Sequence, residues 1–191
     1  MAGKKDRKTA WYVIQVRTTM EDSMCRRIER ACADHDAAAE DEAHFVGLEE
    51  CFSPRFTTQR KRQGEWHDVD LPLLPGYVIA DAGNPHQLAE AIRGIRDMCR
   101  LLTDGETYVP LDEGERAWME RQTGKGDRVI PMSVAYKVGD DVEICEGPLI
   151  GFSGRISRID RSKSVAYLEF HVGQMTVKTK VGLAILPGEK E

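Results

Sequence analysis

The sequence lacks the segments that would carry it into or across a membrane. No uninterrupted apolar run in its 191 residues approaches the roughly 20 that a membrane-spanning helix needs. The N-terminal stretch MAGKKDRKT is basic, but no apolar segment follows it as in a secretory signal peptide. We therefore expect a cytoplasmic protein without a membrane contact.

The cysteines do not form a recognisable metal or disulfide pattern. There are five of them, an odd number, and none belongs to a Cys-x-x-Cys pair. Cys25 and Cys32 are one heptad apart on a predicted helix, where free cysteines usually pack as small hydrophobic residues. The sequence therefore predicts packed thiols, and neither a metal site nor a disulfide framework.

Catalytic motifs are also absent. The phosphate-binding loop, the glycine-rich dinucleotide fingerprint and the zinc-protease motif do not occur. Cys51 and His67 are residue types that form a nucleophile and a base, but no third group that would orient the base is evident. Glu42 and His44 are an acid–base pair at chance level. We expect no catalytic residue, no enzyme activity and no cofactor.

Positive charge is missing from one region and concentrated in the next. The net charge of −5 argues against a general polyanion binder, and no lysine or arginine lies between Arg30 and Arg55. The stretch RFTTQRKRQG (55–64) then contains no acid, and Trp66 beside it offers a stacking surface. Such a patch predicts local contacts to nucleic-acid phosphates, with a merely solvated hairpin as the alternative. Its basic residues are Arg55, Arg60, Lys61 and Arg62.

The first two thirds of the chain alternate between strand and helix patterns. WYVIQV (11–16) alternates like a strand, and Thr18 with Glu21 has the spacing of a capping box before a helix. Two strands are predicted within 46–71 around a Gln63-Gly64 turn, and Asn84-Pro85 begins a second helix. The order β-α-β-β-α-β predicts an α+β domain over 9–124, with helices on one face of an antiparallel sheet.

The remainder has a different period. GKGDRVIPMS has none, so residues 125–135 are predicted to be a flexible linker. Five short alternating runs follow, which predicts a small five-stranded β-barrel over 136–188. Within it, Gly147, Pro148, Gly151 and Gly154 are expected to form a tight turn and a bend, because glycine tolerates positive φ.

Two segments carry a resemblance to a known family. GDDVEICEGPLIGFSGRISRIDRSK (139–163) resembles a KOW motif, the glycine-centred β-turn-β unit of transcription and ribosomal proteins. WYVIQV and LLPGYV (73–78) resemble the N-terminal domain of the NusG family of transcription elongation factors. The resemblance extends from about Trp11 to Leu186. It implies an α+β N-terminal domain followed by an SH3-like KOW barrel, in a bacterial elongation and antitermination factor.

Further segments are similar to the LoaP type, a specialised NusG paralogue that antiterminates long operons and recognises an RNA hairpin. They are CFSPRFTTQRKRQGEW (51–66), DGETYVPL (104–111), and GPLIGFSGRISRIDRSK (147–163) followed by VKTKVGLAIL (177–186). Leu74 stands where such chains often have phenylalanine, which keeps the site apolar but removes a ring. A general NusG factor remains the alternative. A KOW-type ribosomal RNA-binding protein is a second alternative, which the acidic net charge disfavours.

The resemblance also implies partners. An apolar patch would bind the clamp helices of the largest RNA polymerase subunit, although alternation along a strand places some of its residues in the core. The residues are Trp11, Tyr12, Leu74, Tyr77 and Val78. A nascent RNA hairpin or non-template DNA would bind the basic stretch or a second surface of Arg161, Lys163, Lys178 and Lys180. The KOW domain would bind a ribosomal protein or a termination factor, and the protein is expected to be a monomer.

Overall fold

The computed structural model describes residues 8–139, 141–152, 155–172 and 175–187, which fall into two compact units. Unit 1 comprises residues 8–53, 75–113, 172 and 175. Unit 2 comprises residues 54–74, 114–139, 141–152, 155–171 and 176–187. This grouping by contacts differs from the predicted division into 9–124, 125–135 and 136–188, and separate folding of those segments stays a prediction.

Three helices and 14 strands follow one another along the described parts of the chain. The helices are α1 (Glu21–Ala38), α2 (Pro85–Ile92) and α3 (Glu113–Gln122). The first nine strands are β1 (Ala10–Val16), β2 (Leu48–Phe52), β3 (Arg55–Arg62), β4 (Glu65–Pro72), β5 (Tyr77–Ala82), β6 (Cys99–Leu101), β7 (Thr103–Asp104), β8 (Thr107–Tyr108) and β9 (Val129–Ile130). The others are β10 (Ser133–Val138), β11 (Asp141–Glu146), β12 (Ile156–Asp160), β13 (Val165–Val172) and β14 (Met175–Leu186). In the described ranges, no helix is both long and apolar enough to span a membrane.

Unit 1 is built on a four-stranded sheet in the order β2-β5-β1-β6. All its neighbouring strands are antiparallel, and α1 and α2 pack on one face of the sheet. Met24, Ile28 and Cys32 recur every fourth residue along α1 and are buried, as the sequence predicted. This stripe and the inward-facing side chains of the sheet form one core because both patterns present an apolar side to each other.

The two predicted helix starts have different outcomes. Asn84 caps α2, with its side-chain oxygen accepting hydrogen bonds from the amides of His86 and Gln87 at 3.1 and 3.3 Å. The capping box at α1 is wrong, because the capping position is Met20, which gives no side-chain bond. The Glu21 carboxylate instead accepts the Gly76 amide at 2.8 Å, where β5 approaches. A contact between residues 55 positions apart has replaced the local cap.

Unit 2 contains a five-stranded sheet in the order β11-β10-β14-β13-β12 and a three-stranded sheet in the order β4-β3-β9. Strand β9 lies in the predicted linker, where it pairs in parallel with Arg55 and Phe56 of β3. Ile130 of β9 is fully buried. Two residues are too short a strand to produce a period of two in the sequence, so the pattern gave no indication of this pairing.

The predicted glycine-rich turn follows β11 and is hydrogen-bonded to Trp118 of α3. Gly147 has φ 94°, and a Cβ there would lie 2.7 Å from the Ser133 Cα, so a side chain cannot fit. The Pro148 carbonyl accepts the indole N–H of the buried Trp118 at 2.8 Å. Gly151 has φ 74° in open space, and Gly154 lies outside the described residues.

Candidate nucleic-acid interface

The basic stretch forms one strand of a regular hairpin. Strands β3 and β4 pair from Arg55↔Pro72 to Arg62↔Glu65 around the turn that the sequence predicted. Gln63 has φ 53° and Gly64 has φ 93°, the positive values that a tight two-residue hairpin turn requires. The hairpin tip, defined as residues 60–67, is exposed at every position.

The register divides the tip between two faces, because directly opposite residues of an antiparallel pair project to the same side. Arg60 and Arg62 share one face with His67 and Glu65. Lys61 and Trp66 are directly opposite each other on the second face. Both faces of the tip therefore carry positive charge, from Arg60 and Arg62 on one face and from Lys61 on the other.

The expectation of an uncompensated basic patch is corrected by the partner strand. Strand β4 places Glu65 opposite Arg62, Asp68 opposite Gln59 and Asp70 opposite Thr57. The Asp68 carboxylate accepts the Gln59 amide at 3.1 Å, and the Asp70 carboxylate accepts the Thr57 hydroxyl at 2.8 Å. The exposed positive charge of the hairpin is consequently concentrated at residues 60–62. The alternation of acids in EWHDVD was the feature of the sequence from which this could have been anticipated.

Arg55 does not belong to the tip. It lies five residues before Arg60 on the same strand, a separation of about 16 Å at the usual rise of a strand. It is half-buried, and its amide donates to the Arg128 carbonyl at 2.8 Å. The four basic residues predicted together thus divide into three at the tip and one at the base.

The base of the hairpin is fixed to the five-stranded sheet of unit 2. The Thr58 hydroxyl donates to the Ser164 carbonyl at 3.2 Å, and the Thr179 hydroxyl donates to the Leu73 carbonyl. Phe56 is completely buried. At Gly182 of β14, a Cβ would clash with the Thr57 carbonyl oxygen, so the glycine allows the two backbones to approach closely.

The second predicted basic surface is more dispersed and partly neutralised. Lys163 forms an ion pair with Asp160 at 3.4 Å, and Lys178 lies 4.0 Å from Glu169. The Ser162 hydroxyl and then Lys163 hold the pKa of Asp160 below its usual value. Arg161 is exposed in the same short turn, whereas Lys180 lies half-buried on β14. These residues are weaker candidates than the tip for attracting phosphate.

Four of the five residues predicted to bind polymerase lie in unit 1, where they are divided between the two faces of the sheet. In the β1–β5 register, Tyr12 pairs with Ala80 and Val78 with Ile14, on the face that packs against the helices. The side chains of Trp11 and Tyr77 project from the opposite face because strand side chains alternate. Leu74 belongs to unit 2.

Burial corrects the expectation that this cluster faces solvent. The exposed fractions of Trp11, Leu74 and Val78 are 1%, 2% and 0%. Tyr12 is 9% exposed, and burial raises its pKa. Tyr77 is the member that remains half-exposed. The other four residues therefore belong to the core, which was the alternative, and do not form an exposed binding surface.

Cys25 and Cys32 are packed, as predicted, whereas Cys99 is half-buried and Cys145 is exposed. Cys25, Cys32 and Cys51 are buried in the core of unit 1. Burial raises the pKa of Cys32 to about 12 and that of Cys99 to about 11. A hydrogen bond with Cys25 and then burial raise the pKa of Cys51 well above its usual value. Such thiols stay protonated at neutral pH, so they are poor nucleophiles.

Comparison with known proteins gives consistent matches. A family model described as "Transcription termination factor nusG" matches residues 9–120. The "Transcription termination/antitermination protein NusG" of Helicobacter pylori (strain J99) is 22% identical over 151 residues, covering 78% of this chain and 81% of that protein. "Transcription elongation factor Spt5" of Pyrococcus furiosus is 34% identical over 97 residues, covering 51% of this chain and 56% of that protein.

A solved structure shares the fold. The structure described as "Domain interaction in Thermotoga maritima NusG" matches with a TM-score of 0.51 at 18% identity, covering 92% of this chain and 94% of that one. The fold is therefore NusG-like and mixes helices with sheets. Members of this family are transcription factors and not enzymes. Because the family model matches more than half of the sequence, the chain belongs to the NusG family.

Proposed function

We propose that this protein is a NusG-type transcription elongation factor that binds RNA polymerase and promotes antitermination. The observation that carries the proposal is the family match over residues 9–120, together with relatives named as termination/antitermination and elongation factors.

Tyr77 is the residue proposed to contact the polymerase clamp helices. It is half-exposed at the start of β5, where it pairs with Gln15 of β1. A partly exposed tyrosine is a common interface anchor, because its ring buries a large area while losing little conformational entropy.

We expect Tyr77→Ala to weaken binding to purified RNA polymerase by about 2 kcal/mol, with the fold retained. Co-sedimentation with the polymerase measures this. Tyr167→Ala is the matched control, since Tyr167 is another half-buried strand tyrosine but belongs to unit 2. Equal binding by wild type and Tyr77→Ala would move the polymerase contact elsewhere.

The finer proposal concerns RNA. The hairpin tip places Arg60, Lys61 and Arg62 in solvent at the end of an anchored hairpin, on an otherwise acidic chain. Such a tip can contact the phosphates of a structured RNA, while negative charge elsewhere disfavours non-specific binding. The similarity to LoaP makes a nascent RNA hairpin the proposed ligand and long operons the proposed targets.

Replacing these three residues with serine tests the RNA site. We expect lower RNA affinity and a log–log salt slope that is flatter by about one unit for each lost phosphate contact. The matched control replaces Arg93, Arg96 and Arg100, which are exposed in unit 1, with serine and changes the charge equally. Polymerase binding should persist in both variants. If both flatten the slope alike, the RNA contact is diffuse, and if neither does, the basic residues of β12–β14 become the candidates.

A further inference from the structure

Trp66 is unusual among the tryptophans of this protein. Trp11 and Trp118 are each 1% exposed, whereas Trp66 is 53% exposed at the hairpin tip. An indole is large and apolar, so its exposure costs free energy that burial in a partner would recover. Two of the three tryptophans thus contribute to packing, and the third presents a flat aromatic surface to solvent.

The position of Trp66 in the ladder places it beside a cation. The turn is closed by Arg62 and Glu65, so Lys61 and Trp66 form the next pair, which is a non-hydrogen-bonded pair. In such pairs the Cα atoms are about 4.5 Å apart and the side chains are close. The indole and the ammonium group therefore occupy neighbouring positions on one face of the tip.

Between the tip and the base, this face carries negative charge. Asp68 and Asp70 lie two and four residues from Trp66 toward the base of the hairpin, where they accept hydrogen bonds from Gln59 and Thr57. Carboxylates at these positions disfavour a phosphate chain that runs down the hairpin. A polyanion on Trp66 would instead pass across the tip, toward Lys61 and the arginines of the opposite face.

We propose that Trp66 is a stacking platform for one unpaired nucleobase, with Lys61 binding an adjacent phosphate. This inference rests on the proposed binding of RNA at the hairpin tip and adds what kind of nucleotide is bound there. Aromatic side chains stack on bases of either sugar type, because every base has a flat face. Bases inside a duplex are already stacked, so the ligand is a loop or a single-stranded tail rather than a stem.

Variants at Trp66 test the proposal with three probes: an RNA hairpin with an unpaired loop, the blunt RNA duplex of its stem, and single-stranded DNA with the loop sequence. We expect Trp66→Ala to weaken binding of the hairpin about 5- to 100-fold. Trp66→Phe should retain most of the affinity, because the phenyl ring also stacks. Neither variant should change binding of the duplex. Asp68→Asn should strengthen binding, because it removes a repulsive charge.

Fluorescence gives a readout that a structural role would not change. Trp66 is exposed while the other two indoles are buried, so a stacked base should quench Trp66 and protect it from acrylamide. Trp66→Phe abolishes that change while the RNA still binds. If the single-stranded DNA quenches the Trp66 emission as strongly as the RNA does, base stacking on Trp66 is supported and the ligand is an unpaired DNA strand.

Three results overturn the proposal. Unchanged hairpin affinity in Trp66→Ala, alongside a loss in the triple serine variant, refutes stacking and leaves the proposed RNA function intact. If wild type binds none of the probes, RNA binding and stacking both fail. If Trp66→Ala lowers polymerase binding but not RNA binding, the exposed indole is a protein contact.

Discussion

Gly182→Ala should detach the hairpin from the five-stranded sheet of unit 2. A Cβ at this position would clash with the Thr57 carbonyl oxygen and lie 2.8 Å from the Met132 Cγ. The methionine side chain can move, but the carbonyl belongs to a paired strand and cannot shift without moving β3. Inserting one methyl group into a packed site costs about 1–3 kcal/mol.

The displacement would also break two hydrogen bonds. The Thr58–Ser164 and Thr179–Leu73 bonds join the same hairpin to the same sheet, and each contributes about 1 kcal/mol. The expected loss in the free energy of unfolding is therefore about 3–5 kcal/mol. For a domain with a stability of about 5–15 kcal/mol, this is a large fraction.

Chemical denaturation measures this loss, followed through the tryptophan emission of the protein. Gly124→Ala is the matched control, since its Cβ would meet nothing within 4 Å and the residue also lies in unit 2. We expect the control to unfold at the wild-type midpoint and Gly182→Ala well below it. If Gly182→Ala unfolds with the control, β3 and β14 do not approach each other as described.

Two further predictions concern the chain connection and pH. Trypsin should cut after the exposed Lys125. The two pieces should co-elute from gel filtration, because segment 54–74 of the first piece packs within unit 2. Separation into two stable pieces would instead support the predicted boundaries 9–124 and 136–188. The unfolded state releases the protons of Cys32 and Cys99 near pH 9, whereas the folded state holds them to about 12 and 11. The contribution of these thiols to the free energy of unfolding is therefore retained below pH 9 and lost as the pH rises toward those values. Urea unfolding midpoints at pH 8 and 10.5 would show this loss. An equal loss in a Cys32→Ala, Cys99→Ala variant would contradict it.

Local features were predictable from the sequence and long-range ones were not. The Asn84 cap and the Gln63-Gly64 turn depend on residues two or three positions apart, so their chemistry is visible in the sequence itself. The capping box failed because Glu21 binds Gly76, a partner that only the folded sheet supplies.

The candidate site shows the same division. The run of basic residues identified the tip. Alternation along the strands indicated that adjacent residues of the predicted polymerase patch would lie on opposite faces of the sheet. Which acids lie opposite the basic residues depends on the hairpin register, and the exposure of Trp66 depends on what else packs nearby. Composition does not determine either of them.

The central claim is that this chain acts on transcribing RNA polymerase and that its hairpin tip contacts the RNA. The most direct measurement is transcription by purified polymerase through a terminator, on templates with and without an RNA hairpin element upstream. We expect the protein to increase read-through on the template with the element, and we expect the triple serine variant at residues 60–62 to lose that increase while it still binds polymerase. Unchanged termination and pausing on both templates, with no binding to the polymerase, would contradict the claim.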